Sequence, residues 1–170
     1  APAPAPGADA ADTPVAQAID PAAAFRLHSR PGAARVLYLD FDGHVVSGTA
    51  WNANGGASVY DARPFSTDTD EANFSDAERQ AIAEIWHRVA EDYAPFDVDV
   101  TTAEPAIGDL AKVSADDTRW GIRVVIGPNT WFSPAGGVAY HGSFNWNSDT
   151  PCFVFNTGEV GVAEAASHET

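Results

Sequence analysis

Methionine is absent from this 170-residue chain, cysteine occurs once, at Cys152, and lysine once, at Lys112. Without methionine there is no initiator at Ala1, so the first residue is expected to follow a processed or trimmed start. A lone cysteine makes no disulfide within the chain. Cys152, in an apolar run, is expected either as a buried thiol or as the partner of a cysteine outside the sequence. Basic residues are scarce, 9 against 24 acidic for a formal charge of -15, which excludes the basic surface that grips nucleic acid or anionic lipid. No apolar run approaches the roughly 18 residues that cross a bilayer, so no membrane span is expected.

What is present supports one folded unit, with 45% hydrophobic and 11% aromatic residues, enough to build a core at this length. Residues 1–32 open with APAPAPGADAADTP, a composition that follows cleaved secretory signals, and read as a flexible linker or pro-segment remnant of a secreted protein. A short helix over 16–27 is compatible with that segment. Residues 33–170 are expected to form the domain, with its first strand near Arg35.

RVLYLDF at 35–41 is a near-continuous apolar run of strand length, the pattern of a strand buried on both faces. Residues 44–73 are dense in Gly, Asn, Asp, Ser and Pro and read as a long irregular excursion anchored by Trp51, Tyr60 and Phe65. Ser75 and Glu78 form an S-x-x-E capping box, and Ile82, Ile85, Trp86, Val89 and Tyr93 then recur at helical spacing until Pro95. His87 lies off that stripe and reads as solvated. DVDVTT at 97–102, GIRVVI at 121–126, the glycine-studded 136–144 and PCFVFN at 151–156 read as further strands. One long helix between the first two strands argues for an α/β fold, a mostly parallel sheet with helices on it.

The chain closes on GVAEAASHET. Good helix formers carry His168 and Glu169, the first half of HExxH, in which histidines at i and i+4 share one helical face and grip one zinc. The second histidine would fall two positions beyond Thr170, so the sequence reads as a protease domain cut inside its own active site. Glu159 and Glu164 read as charges favoured near the helix start.

From EIWHRVAEDYAPFDVDVTT through GGVAYHGSFN to AEAASHE, residues 35–170 resemble the N-terminal subdomain of the metzincin clan of zinc metalloendopeptidases, and bacterial secreted members in particular. The resemblance implies a twisted five-stranded sheet with an antiparallel edge strand, one long helix packed on it and a C-terminal active-site helix. It makes His168 the first zinc ligand and Glu169 the general base and acid. It also assigns Gly137, Val138, Ala139 and Tyr140 to the edge strand that pairs with a peptide or protein substrate. The family's remaining ligands and methionine-bearing turn would lie after Thr170, so the chain alone is expected to be inactive. Zinc is the implied catalytic cofactor; calcium or a second structural ion is a further expectation, with His141, His44 and the loop aspartates as candidate ligands. A monomer is expected.

Two other readings compete. VLYLDFDG at 36–43 is close to the hhhhDxDG motif of haloacid-dehalogenase-like phosphatases, with Asp40 as nucleophile and Asp42 as acid and base around Mg²⁺; the plainer reading is a pair that ends a strand or binds a structural cation. Trp131, Phe132 and Trp146 would serve a secreted, non-catalytic binding domain for carbohydrate or protein, unless they pack a core.

Overall fold

The computed structural model describes residues 19–68, 70–132, 134–156 and 158–170. In chain order the elements are β1 (Arg35–Asp40), β2 (His44–Ser47), α1 (Ala50–Gly55), β3 (Val59–Ala62), α2 (Asp76–Asp92), β4 (Val98–Thr101), β5 (Trp120–Gly127), β6 (Gly137–Val138), β7 (Cys152–Phe155) and α3 (Glu159–Glu169), with short 3-10 turns at Pro21–Ala23, Ile107–Leu110 and Ser143–Asn145. Five strands form one sheet in the order β4-β1-β5-β7-β6. The first four are parallel and β6 runs antiparallel on the outside of β7. The fold is therefore mixed α/β with a mostly parallel sheet. β1 and β5 lie inside it, and β5 is buried along its whole length, which is why both read as near-continuous apolar runs.

Alternation across the strands divides the sheet into two unlike faces. Leu37, Leu39, Val100, Ile122, Val124, Ile126, Cys152 and Val154 point to one side, where α2 supplies Ile82, Ile85 and Val89 and α3 supplies Val162, Ala163 and Ala166. The Ser75–Glu78 capping box is formed, and the Trp86 indole N–H donates to the Val100 carbonyl at 2.8 Å, fixing α2 over β4. Glu78 is fully buried. Burial alone would raise its carboxyl, but the N–H groups of Thr67 and Ser75 and the hydroxyls of Ser66 and Ser75 pull it down to about 2. Cys152 is a buried thiol whose ionisation burial pushes up strongly.

The opposite face is covered by an ordered element within 44–73, where the composition predicts irregular chain. Residues 44–62 fold as a β2–β3 antiparallel hairpin around α1. Its Val46 and Trp51 pack with Val125, Phe153 and Phe155 of the sheet, and Thr49 and Asn52 close a capping box on α1. The hairpin exposes Val45 and Val59, so its stability comes from packing on the sheet rather than from an amphipathic pattern. Two further differences concern boundaries. The strand expected over 136–144 is limited to two residues, because the chain turns at Gly142 (φ 77°) into the Ser143–Asn145 turn. The packed unit also begins before residue 33, within the 1–32 segment expected as a flexible linker: Ala24 is fully buried in the main core, Asp99 accepts from His28 Nδ1 at 2.8 Å and the Arg30 N–H at 3.0 Å, and Ser29 N–H donates to Val100 O. In place of the short helix expected over 16–27 there is the Pro21–Ala23 turn; residues 16–18 lie outside the described residues. No helix among the described residues is long and apolar enough to cross a membrane.

Candidate active site

α3 starts after Gly158, whose φ of 86° suits glycine alone among common residues, and its far end is pinned to α2. Ser167 Oγ donates to Asp92 Oδ2 at 2.7 Å, and Thr170 Oγ1 lies 2.5 Å from the Tyr93 hydroxyl while donating to the Ala166 carbonyl. With Val162, Ala163 and Ala166 committed to the core, another stripe of the helix is left outward. Gly161, Glu164, Ala165 and His168 recur at helical spacing along it, and Glu169 adjoins its end. This stripe forms one wall of an open cleft of about 460 Å³, and Gly136 and Gly137 form the other.

The strand side of the cleft is a free sheet edge, because β6 has β7 as a neighbour on one side only. Phe155 N–H donates to Gly136 O, which makes Gly136 and Val138 the residues bonded to β7. In an antiparallel ladder the residue between them turns its own N–H and C=O the other way. Gly137 therefore presents both backbone groups at the open edge. Its α-carbon also lies against Glu169: a Cβ there would come 2.8 Å from Glu169 Cγ and 3.0 Å from the Phe153 carbonyl. Only glycine fits without displacing the carboxylate.

Of the residues singled out from the sequence, the fold brings Gly137, His168 and Glu169 into one cleft, with His168 exposed and Glu169 half-buried. The other three edge residues do not line it. Val138 packs with the Trp51–Phe153 cluster on the far face, Ala139 packs against the main core, and Tyr140 lies 4.3 Å from the Trp51 ring. Gly136, within the GGVAY expected as edge strand, lines the cleft too; sequence reasoning missed Gly161, Glu164 and Ala165, and the two small residues carry no chemical signature of their own. His168 is a single donor, and among the described residues no group of three His, Cys, Asp or Glu could hold a metal ion. The residues present thus fall short of the three protein ligands usual for catalytic zinc. His141 is exposed and His44 faces Asp40 instead.

Asp40 and Asp42 sit elsewhere, at the end of β1 on the face opposite α2 and α3. Asp40 is 1% exposed, and Arg123 Nη1 donates to its Oδ2 at 2.5 Å. Arg123 also bonds Asp149 through Nε at 3.1 Å and approaches Glu104. Asp40 Oδ1 and Asp149 Oδ1 are buried without a partner among the described residues. Burial first, and the neighbouring Asp42 carboxyl second, push Asp40 up to about 7 against the pull of an Arg123 shared among three carboxylates. His44, 4.0 Å from Asp40, has its pKa lowered by burial and by Arg123. A carboxylate enclosed in this way and held by a guanidinium has no open path to attack a phosphate ester. Trp131 and Phe132 pack with Trp51, and Trp146 with Tyr140.

Compared with models of protein families, with curated proteins and with solved structures, the chain finds no match.

Proposed function

We propose that this chain is the N-terminal part of a metzincin-like, zinc-dependent metalloendopeptidase that is secreted and acts on extended stretches of protein. The reading is supported above all by one observation: the His168–Glu169 pair shares its cleft with the open edge of β6, where Gly137 leaves room for the Glu169 carboxylate. In this reading His168 is the first metal ligand. The next ligand falls four residues later, on the same helical stripe as Gly161, Ala165 and His168, and it and the third belong to chain beyond Thr170. Bound zinc would lower the pKa of its water toward neutrality and polarise the scissile carbonyl.

The chain's own residues supply the rest. Glu169 takes the proton from the attacking water and passes it to the leaving amine. Gly137 offers one N–H and one C=O to an extended peptide, which adds to the sheet as a further strand. Such pairing recognises the middle of a chain rather than its ends, and so favours endopeptidase action.

The test compares this 170-residue chain with a polypeptide carrying the residues that follow Thr170. Zinc content by atomic absorption and hydrolysis of casein are measured for both. The longer form is expected to bind zinc through His168 and to cleave casein, and the shorter to do neither. Retention of full zinc content by His168→Ala in the longer form, or an encoded continuation with no histidine four residues after His168, overturns the reading.

A further inference from the structure

On the face of β7 and β6 away from α3, the aromatic residues do not close into a complete core. Trp51, Tyr60, Trp131, Phe132 and Tyr140, with Asn54 at the rim, leave a cup of about 310 Å³, near the lower end of pockets that hold small ligands. Its walls are mutually supported: Trp51 is 4.3 Å from Tyr140, Tyr60 is 4.4 Å from Trp131, and Trp131 is 5.0 Å from Phe153. Phe153 is the cross-strand partner of Val138, so the floor of this aromatic cluster is continuous with β6. Trp131 and Phe132 precede that strand and Tyr140 follows it.

The lining says what fits. It contains no charged side chain, although the protein carries a formal charge of -15. Several of its polar tips are already engaged: Asn54 Nδ2 donates to the Tyr140 hydroxyl, which donates to Ala50 O, and the Trp51 indole N–H donates to Pro151 O. A sugar ring would find, among the aromatic tips, only the Tyr60 hydroxyl and the Trp131 indole N–H for its several hydroxyls, and a charged group would find no counter-charge. An apolar side chain needs neither.

Strand geometry supplies the occupant. Residues directly opposite in neighbouring strands project to the same face, and successive residues alternate. In a peptide added to the open edge of β6, the residue opposite Gly137 faces the His168–Glu169 cleft, and the residues on either side of it face the aromatic side. We propose that the cup receives one large apolar side chain, aromatic by preference, of a polypeptide paired on β6. This rests on the edge-pairing part of the function proposed above and adds a preference for the residue flanking the one held over the cleft.

The test uses the ¹⁵N-labelled chain and three probes: the capped hexapeptide acetyl-Lys-Ala-Phe-Ala-Lys-Ala-amide, the same peptide with Ala for Phe, and the Phe peptide N-methylated along its backbone. Binding is followed through the Trp51 and Trp131 indole resonances and the Gly137 amide. The Phe peptide is expected to shift all three, with an affinity roughly tenfold above that of the Ala peptide. Phe132→Ala, at a rim position exposed enough to leave the fold intact, is expected to remove most of that difference, and N-methylation to weaken binding. Equal affinities for the Phe and Ala peptides, with Gly137 still shifting, overturn the cup while edge pairing stands. Indole shifts without a Gly137 shift and without sensitivity to N-methylation overturn edge pairing and, with it, this placement. No shift with any probe overturns both. A larger indole response to a methyl pyranoside than to the Phe peptide overturns the ligand class.

Discussion

At the β6 edge a half-buried carboxylate, Glu169, stands beside an exposed imidazole and a glycine, in a cleft open to solvent. Across the sheet, Asp40 is 1% exposed and 2.5 Å from the guanidinium of Arg123, which it shares with Asp149 and Glu104, and Asp42 and His44 lie beside it. The second place has the denser charge and a carboxyl pushed up to about 7, yet the first is the one that lies open to solvent. Perturbed acidity marks a reactive group only where geometry gives it access. At Asp40 the perturbation instead reports burial first and the neighbouring Asp42 carboxyl second, which together outweigh the pull of Arg123.

The contrast breaks most readily at Glu169. In the zinc-loaded, longer polypeptide, Glu169→Gln is expected to lower kcat for casein by roughly 10²–10⁴-fold with an unchanged urea midpoint, whereas Asp40→Asn is expected to leave kcat within a few-fold. Loss of activity in the second and not the first would exchange the roles of the two regions. Arg123→Met works in the other direction. Removing the shared cation leaves the buried Asp40 and the half-buried Asp149 uncompensated, at a cost of about 3–5 kcal/mol in urea unfolding at pH 8.

Glu78 sharpens the comparison, since it too is a buried carboxylate but has both oxygens hydrogen-bonded. Glu78→Ala is expected to cost about 1–3 kcal/mol at neutral pH. Because its folded pKa lies below the ordinary 4.5, its stabilisation is complete above that value and is lost as pH falls toward about 2. Asp40 has the opposite sign. Its folded value lies above the ordinary 3.8, so the penalty for ionising it is absent in acid and grows as pH rises from about 4 to about 7. Asp40→Asn is expected to flatten that part of the stability profile, measured by urea denaturation across the range. The smallest effect is expected at Gly137→Ala: a Cβ forces the Glu169 side chain aside, lowering casein hydrolysis roughly tenfold, about 1.4 kcal/mol in the barrier, with little change in the unfolding midpoint.

How far the sequence disclosed these regions depends on how local their causes are. The α2 helix was legible because Ser75, Glu78 and the Ile82–Val89 stripe are near neighbours in the chain, and β1, β5 and β7 because burial on both faces leaves an unbroken apolar run. The β2–β3 hairpin was not. Its Val45 and Val59 face solvent, and its hold on the sheet passes through Trp51 and Phe153, about a hundred residues apart in the chain. The Thr49–Asn52 capping box was the one local signal available for α1. His168 and Glu169 could be picked out by motif, but their nearness to Gly137 is a product of the fold, as is the pairing of Asp40 with Arg123. The strand expected over 136–144 is cut to two residues for a related reason: the segment has strand composition, but Ala139 and Tyr140 are drawn into two different clusters.

The brevity of β6 has a consequence for colloidal behaviour. A bare sheet margin invites identical molecules to stack on one another into fibrils. Here the margin spans two residues, and the chain around it carries a strong net negative charge. So short a margin gives an identical molecule little backbone to pair with, against the repulsion of like net charges.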